Sequence, residues 1–305
     1  MTLNALNLPC FAKINLSLRV LGKREDGYHE ISTILQTISL HDQLVLILRD
    51  DDRIALSCND RTIPTDNRNL VVRAAQNLRQ LAGSKLGIDL ALLKRIPANA
   101  GLGGGSSNAA SALLGLNVLW KCGLSIDELA NLASQLGADV PFFLYGGKAR
   151  GTGTGTSISS IPDEPKTKLV VISPSASIAT KDAYKAINAP SLTTQNPISI
   201  LTSSFAEPVL NGCDQSPLHN DFEAVIFEIK PEIERAKRAL LNAGARGALL
   251  TGSGSSVFGL FDDDADRQRG INSLEIEAGW RVFSCSTISR SEYFGAMDSA
   301  GVLLG

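Results

Sequence analysis

The chain has 305 residues, with 44% hydrophobic and 20% charged residues. That is enough for a sizeable core and two ordinary domains. A formal charge of −2 and only 5% aromatic residues speak against a general electrostatic attraction to nucleic acid or an anionic membrane, and against base-stacking platforms. No apolar run is long enough to span a bilayer, and Met1 to Cys10 has neither a signal-peptide nor an Arg-rich transit pattern.

Five dispersed cysteines (Cys10, Cys58, Cys122, Cys213, Cys285) form no Cys-x-x-Cys pair, and the three histidines do not cluster. This reads as free thiols in a reducing compartment, with no zinc site and no disulfide frame. A cytoplasmic enzyme is the expectation.

Phe11 to Leu21 alternates, with Ala12, Ile14, Leu16, Leu18 and Val20 opposite Lys13, Asn15, Ser17 and Arg19. The spacing predicts a half-buried strand with Lys13 and Asn15 on its polar face. Alternation by itself leaves Lys13 as a solvated strand lysine. Asp26-Gly27 marks a turn and Ile31–Ile38 a second strand, so Tyr28 and His29 lie near a hairpin tip. Leu44–Leu48 and Ile54–Cys58 read as further strands. Asn69 heads a helix with Leu70, Val71, Ala74, Leu78 and Leu81 on one face and Gly83 at its end. Ile88, Leu90 and Leu92 alternate as a strand that leads to Lys94-Arg95.

The stretch from Pro97 through Ala98, Asn99, Ala100, Gly101, Leu102, Gly103, Gly104 and Gly105 to Ser106 and Ser107 then runs into a helix. Glycines let backbone N–H groups turn toward a ligand, and a helix start leaves its first N–H groups unpaired at the positive end of its dipole. Together they predict a phosphate site. No Lys follows the last glycine, as a P-loop requires, and Ser106 stands where a dinucleotide fingerprint needs glycine. Ala110, Leu113, Leu114, Asn117 and Trp120 trace one face of that helix. Ser125 and Glu128 have capping-box spacing before a helix that Gly137 ends. Asp139 is a carboxylate among small and apolar residues. Its surroundings suit a cation partner or proton transfer, while Pro141 nearby also suits helix capping. Arg150–Gly155 reads as a strand-end turn.

Lys168–Ile172 reads as a strand, and Thr180 as the cap of a short helix through Tyr184 to Ile187. Residues 189–217 read as an irregular excursion with one short helix at most. Helices over Asp221–Ile229, Pro231–Ala243 and Ala265–Ala278, with strands over Ala248–Thr251, Val257–Phe261 and Arg281–Ser286, give the split β-α-β order of a ferredoxin-like α+β unit. The Gly252–Ser256 turn is too long for a minimal hairpin. It is either a loose loop or part of the phosphate site.

Three separated stretches, Ala12–Leu16, Pro97–Ala110 and Leu250–Phe258, resemble the three-motif pattern of the GHMP kinase superfamily (galactokinase, homoserine kinase, mevalonate kinase, phosphomevalonate kinase). Gly22–His29 and Gly137–Phe143 resemble the cytidine-binding and catalytic-aspartate segments of the branch that phosphorylates CDP-methylerythritol in non-mevalonate isoprenoid synthesis. The resemblance covers nearly the whole chain. It implies an α/β (α+β) two-domain GHMP kinase fold, with a ribosomal protein S5 domain 2-like half over residues 1–163 and a ferredoxin-like half over residues 164–305. It further implies Asp139 as catalytic base, with Lys13 beside it to keep it ionised. Asn15, Tyr28, His29, Thr180 and Tyr184 would hold the acceptor, with His29 on the cytosine edge and the two tyrosines sandwiching the ring. Pro97–Ser107 would hold the ATP phosphates, Asn69 and Lys94 would lie near the adenine, and magnesium would accompany ATP with Ser107 as a candidate ligand. A monomer or homodimer is implied, with no nucleic-acid or membrane partner. Another GHMP small-molecule kinase and a non-catalytic nucleotide-binding regulator remain as alternatives.

Overall fold

The computed structural model describes residues 3–187 and 218–299. The expected excursion over 189–217 and Cys213 lie outside the described residues.

The first sheet is built on two long antiparallel strands, β1 (Ala5–Lys23) and β2 (His29–Arg49), paired from Ala5 with Ile47 to Lys23 with His29. The runs Ile31–Ile38 and Leu44–Leu48 are therefore one 21-residue strand and not two. Alternation fails between them because the register shifts opposite Phe11 and Ala12, so the inward set changes parity there. The first part of β2 pairs with β5 (Lys148–Gly153), and the last part with β4 (Gly87–Leu93). β3 (Ile54–Cys58) lies parallel to β4, and β6 (Ser157–Ser160) pairs with β5. Arg150–Gly153 thus belongs to a strand, and the turn begins only after Gly153. β8 (His219–Asn220) adds a short parallel rung beside Ser17 and Leu18.

Helices α1 (Leu70–Ala82), α2 (Gly104–Leu119), α3 (Ile126–Leu136) and α4 (Phe142–Tyr145) cover one face of this sheet. The Asn69 side chain accepts from the Val71 N–H, and Gly83 ends α1 at φ 63°. Ser125 and Glu128 form the reciprocal capping box of α3. Leu81 departs from its expected place, being 57% exposed. α2 also differs from the one-faced helix that the spacing predicts. It is buried on nearly every side, and Trp120 is its C-cap. Gly115 explains the close fit, since a Cβ there would lie 2.8 Å from the Leu8 side chain.

The second sheet has the order β11 (Arg281–Ser286), β7 (Lys168–Ser173), β10 (Val257–Phe261), β9 (Gly247–Leu250), all antiparallel. This is the ferredoxin-like order 4-1-3-2. α6 (Phe222–Ile229) and α7 (Pro231–Asn242) pack on one face through Phe222, Ile226, Ile233 and Leu240. The other face, with Leu169, Val171, Leu249 and Phe258, packs on Ala12, Ile14, Ile38, Ala100 and Leu102 of the first half. Burial on both faces accounts for the unbroken apolar run of β7. α5 (Thr180–Ala186) lies beside α6, α8 (Asp264–Ser273) stops short of the expected Ala278, and α9 (Arg290–Ser299) returns to the first core with Tyr293 and Met297. The halves are therefore joined through an apolar seam and a returning helix.

Cys10, Cys58, Cys122 and Cys285 are free thiols. Among the described residues no His, Cys, Asp or Glu cluster could hold a metal, and no helix is long and apolar enough to cross a membrane.

Leu113 on α2 is fully buried. Leu113→Ala should lower stability by about 2–5 kcal/mol. Leu81→Ala should stay within about 1 kcal/mol. Chemical denaturation of the two variants checks the contrast.

Candidate active site

β1 carries Lys13 and Asn15 into the seam between the halves. Their face is polar in sequence, yet each is only 3% exposed, because the turn after β9 covers it. Alternation alone leaves Lys13 open to solvent, and it is the packing of the second half that buries it. Lys13 Nζ donates to Asn15 Oδ1 at 2.7 Å and lies 3.4 Å from Asp139 Oδ2. Asn15 Nδ2 donates to Thr33 Oγ1 at 2.8 Å, and Asn15 Oδ1 also accepts the Gly252 N–H at 2.9 Å. Asn220 secures the turn, donating to Leu250 O at 2.8 Å and Gly252 O at 2.9 Å while accepting from Phe222 N–H. Every polar atom of this buried cluster thus has partners, as burial demands.

Asp139 follows α3 by an extended Gly137. Pro141, without a side-chain cap bond, stands at the N-cap of α4. The capping alternative for Asp139 is therefore not the one taken. Its carboxylate is 37% exposed and faces the cavity beside Lys13.

The glycine stretch takes left-handed conformations at Asn99, Gly101 and Gly103, with φ of 53°, 76° and 70°. Side chains at the two glycine positions would be strained. Space is lacking too: a Cβ on Gly103 would come within 2.9 Å of the Lys13 stem and 2.8 Å of the Phe143 ring, and one on Gly101 would run into Thr251 O. Ser256 N–H donates to Ala100 O at 3.0 Å, and Thr251 Oγ1 to Gly101 O at 3.2 Å. The Gly252–Ser256 turn is thus part of the site and not a loose loop. α2 starts inside the glycines, with Gly103 as its N-cap, so the unpaired N–H groups of its first turn point where the loop opens.

These elements enclose a cavity of about 1360 Å³. That exceeds the usual pocket for one small ligand and leaves room for two. Pro97–Ser106 and Gly252–Gly254 line it, together with Tyr28, His29, Thr180 and Tyr184 and with Lys13, Asn15 and Asp139. His29 stacks on Tyr184, with ring centroids 4.8 Å apart and planes at 27°. Tyr28 is 66% exposed at the rim. Burial first, then the Asp139 charge, pushes the Tyr184 phenol up to about 12. Burial, then the Lys23 charge, holds the His29 imidazole below its ordinary value. Both shifts favour the uncharged ring. Thr180 is the first residue of α5 and not its cap, which is Ala179; the Thr180 hydroxyl lies 3.1 Å from Ser253 Oγ.

Asn69 and Lys94 do not line the cavity. The Asn69 side chain is spent on capping α1, and Lys94 is ion-paired to buried Asp42. Ser107, expected with the loop, is fully buried in the first turn of α2 and does not line the cavity, its hydroxyl without a hydrogen-bond partner among the described residues. Asp42, Thr33 and Asn220 are not singled out by sequence. Only Asn220, a polar residue just ahead of an apolar helical run, carries a usable signal, that of a helix start.

The sequence model of the GHMP kinases N terminal domain matches residues 69–147, and that of the GHMP kinases C terminal domain matches residues 203–278. A 4-diphosphocytidyl-2-C-methyl-D-erythritol kinase of Syntrophotalea carbinolica is 39% identical over 91% of this chain and 97% of its own. The enzyme of that name from Listeria innocua is 42% identical over 86% of this chain and 90% of its own. A crystal structure of 4-(cytidine 5'-diphospho)-2C-methyl-D-erythritol kinase superposes with a TM-score of 0.74 at 33% identity, covering 92% of this chain and 99% of that one. With its two sheet-built halves meeting at a glycine-lined cavity, the chain belongs to the GHMP kinases and, within them, to the 4-diphosphocytidyl-2-C-methyl-D-erythritol kinase family.

Proposed function

We propose that the cavity takes ATP and 4-diphosphocytidyl-2-C-methyl-D-erythritol together and transfers the γ-phosphoryl group to the 2-hydroxyl, giving the 2-phosphate and ADP. The observation that carries this is the Lys13–Asp139 pair at 3.4 Å, which lines the same cavity as the glycine loop and the His29 and Tyr184 rings. The hydroxyl oxygen attacks the γ-phosphorus, the bond to the β-phosphate oxygen breaks, and the hydroxyl proton passes to the Asp139 carboxylate. Lys13 and Asn15 hold the hydroxyl in line. Loop and α2 N–H groups stabilise the charge that spreads over the phosphate oxygens, which is most of what phosphoryl transfer asks of a protein.

Magnesium fits as a companion of ATP: no acidic cluster holds it beforehand among the described residues, but the unpartnered Ser107 hydroxyl in the first turn of α2 would offer an oxygen ligand beside the phosphates, whose charge the ion would neutralise. The His29 edge reads the cytosine, and Tyr28 and Tyr184 flank the ring. The stacked His29–Tyr184 pair then has to part to admit the base. Residues 1–163 build the first half and the stretch from 164 onward the second, with β8 and α9 of that later stretch packing back on the first. Free thiols and a near-neutral charge support a cytoplasmic enzyme, monomer or homodimer, with no nucleic-acid or membrane partner.

ADP release with magnesium, ATP and the cytidylyl substrate is the direct test. Release should depend on that substrate and not on homoserine, galactose or mevalonate; dependence on one of those alcohols would point to another kinase of the superfamily, and ATP binding without turnover to a regulator. Asp139→Ala should bind both substrates and lose roughly two to four orders of magnitude in kcat, the range for a general base. Turnover near wild type would remove Asp139 from that role. His29→Ala should raise KM for the cytidylyl substrate about tenfold and leave KM for ATP unchanged, since a lost buried hydrogen bond costs about 1–3 kcal/mol. The lowered His29 pKa means that in the wild type this KM should be level between about pH 8 and 7, with the imidazole staying unprotonated. Steady-state kinetics over that range checks both.

A further inference from the structure

Asp42 is fully buried on β2, opposite Cys10 and beside the register shift. It does not line the cavity, yet its carboxylate gathers four donors. Oδ1 accepts from Arg95 N–H at 2.7 Å and Ile96 N–H at 2.8 Å. Oδ2 accepts from Asn108 Nδ2 at 2.9 Å and from the Lys94 ammonium. The same ammonium donates to Asn108 Oδ1 at 3.3 Å.

Those donors sit on both sides of the glycine loop. Arg95 and Ile96 are the residues just before Pro97, and Asn108 lies in the second turn of α2, the helix that the loop enters. One carboxylate therefore ties the strand exit and the helix start to each other. Gly104, the first residue of α2, shows how closely they are drawn together: a Cβ there would lie 2.9 Å from the Ile96 side chain and 3.1 Å from Lys94 Nζ. A loop that binds phosphate through backbone N–H groups works only if those groups are already aimed, because no side chain can correct them later.

We infer that Asp42 is a positioning residue for phosphate binding: it fixes the span between Ile96 and Asn108, so that the Pro97–Gly105 amides are set for the ATP phosphates. The inference rests on the reading of that loop as the ATP site. A carboxylate can accept from all four groups at once, which an amide cannot. Asparagine at this place keeps the shape but turns an N–H₂ toward the Asn108 amide and Lys94, leaving a buried ammonium without its counter-charge.

The experiment is calorimetric titration of ATP and, separately, of the cytidylyl substrate into wild type, Asp42→Asn and Asn108→Ala. ATP affinity should fall tenfold or more in Asp42→Asn and severalfold in Asn108→Ala, with affinity for the cytidylyl substrate within twofold of wild type in both. Asn108→Ala cuts only the helix side, keeps the ion pair, and decides the matter if Asp42→Asn does not fold. ATP affinity unchanged in the folded variants, or both affinities falling alike, would overturn the positioning role. Failure of the wild type itself to bind ATP would instead sink the reading of the loop on which the inference rests.

Discussion

The site depends on one act of burial. Lys13 and Asn15 belong to the polar face of β1, and the Gly252 turn of the second half closes over them. An ammonium out of water is costly unless its charge and its donors are matched. Here Asn15 accepts one of them, Asp139 balances the charge, and Gly252 N–H shares the same Asn15 oxygen. The apolar seam of Ile14, Ala100, Leu102, Leu249 and Phe258 surrounds this polar cluster and supplies the hydrophobic drive that holds the halves together. The Lys13–Asp139 pair thus lies where the second half closes over β1.

The division of labour in the cavity follows from this frame. At one end the ligand-facing groups are backbone, held by left-handed loop residues and by the contacts of Ala100 and Gly101 with the Gly252–Ser256 turn. Elsewhere they are side chains, among them the His29 and Tyr184 rings, whose uncharged forms burial favours. Rigid dipoles suit a phosphate, whose charge is the same in every nucleotide. A neutral imidazole edge and a flat phenol suit a base that is read by shape and hydrogen bonds. The Tyr184 ring rests edge-on against Phe222 at 4.8 Å, so that ring is anchored in the second core, whereas Ala100 and Leu102 of the glycine loop sit in the seam between the halves.

Local rules are legible wherever a segment meets its environment on one side. Asn69 and Gly83 bound α1, Ser125 and Glu128 bound α3, and Ile88, Leu90 and Leu92 line the inner face of β4, because capping and alternation are settled by near neighbours. The same rules fail where two layers close on one element. α2 lies at the centre of the first core and so loses its one-faced pattern, and β2 changes the parity of its inward residues at a register shift, so it reads as two strands. Thr180 has the residue type of a cap, whereas Ala179 holds that place and the Thr180 hydroxyl faces Ser253 across the seam.

By itself the sequence determined the glycine-rich anion loop, the hairpin that bears Tyr28 and His29, the ferredoxin-like order of the second half, and, through its motifs, membership of the GHMP kinases. These depend on backbone freedom, periodicity and the order of elements, all of which are local. Periodicity and local spacing left open, and the tertiary structure decided, that Lys13 is buried rather than solvated, that Asp139 faces it instead of capping α4 (as the family motifs imply), that Lys94 pairs with Asp42 and does not line the cavity, and that His29 stacks on Tyr184. Each of these joins residues far apart in the chain. Their meeting is set by how the two sheets pack, and no spacing along the chain encodes which face of a strand another layer will cover.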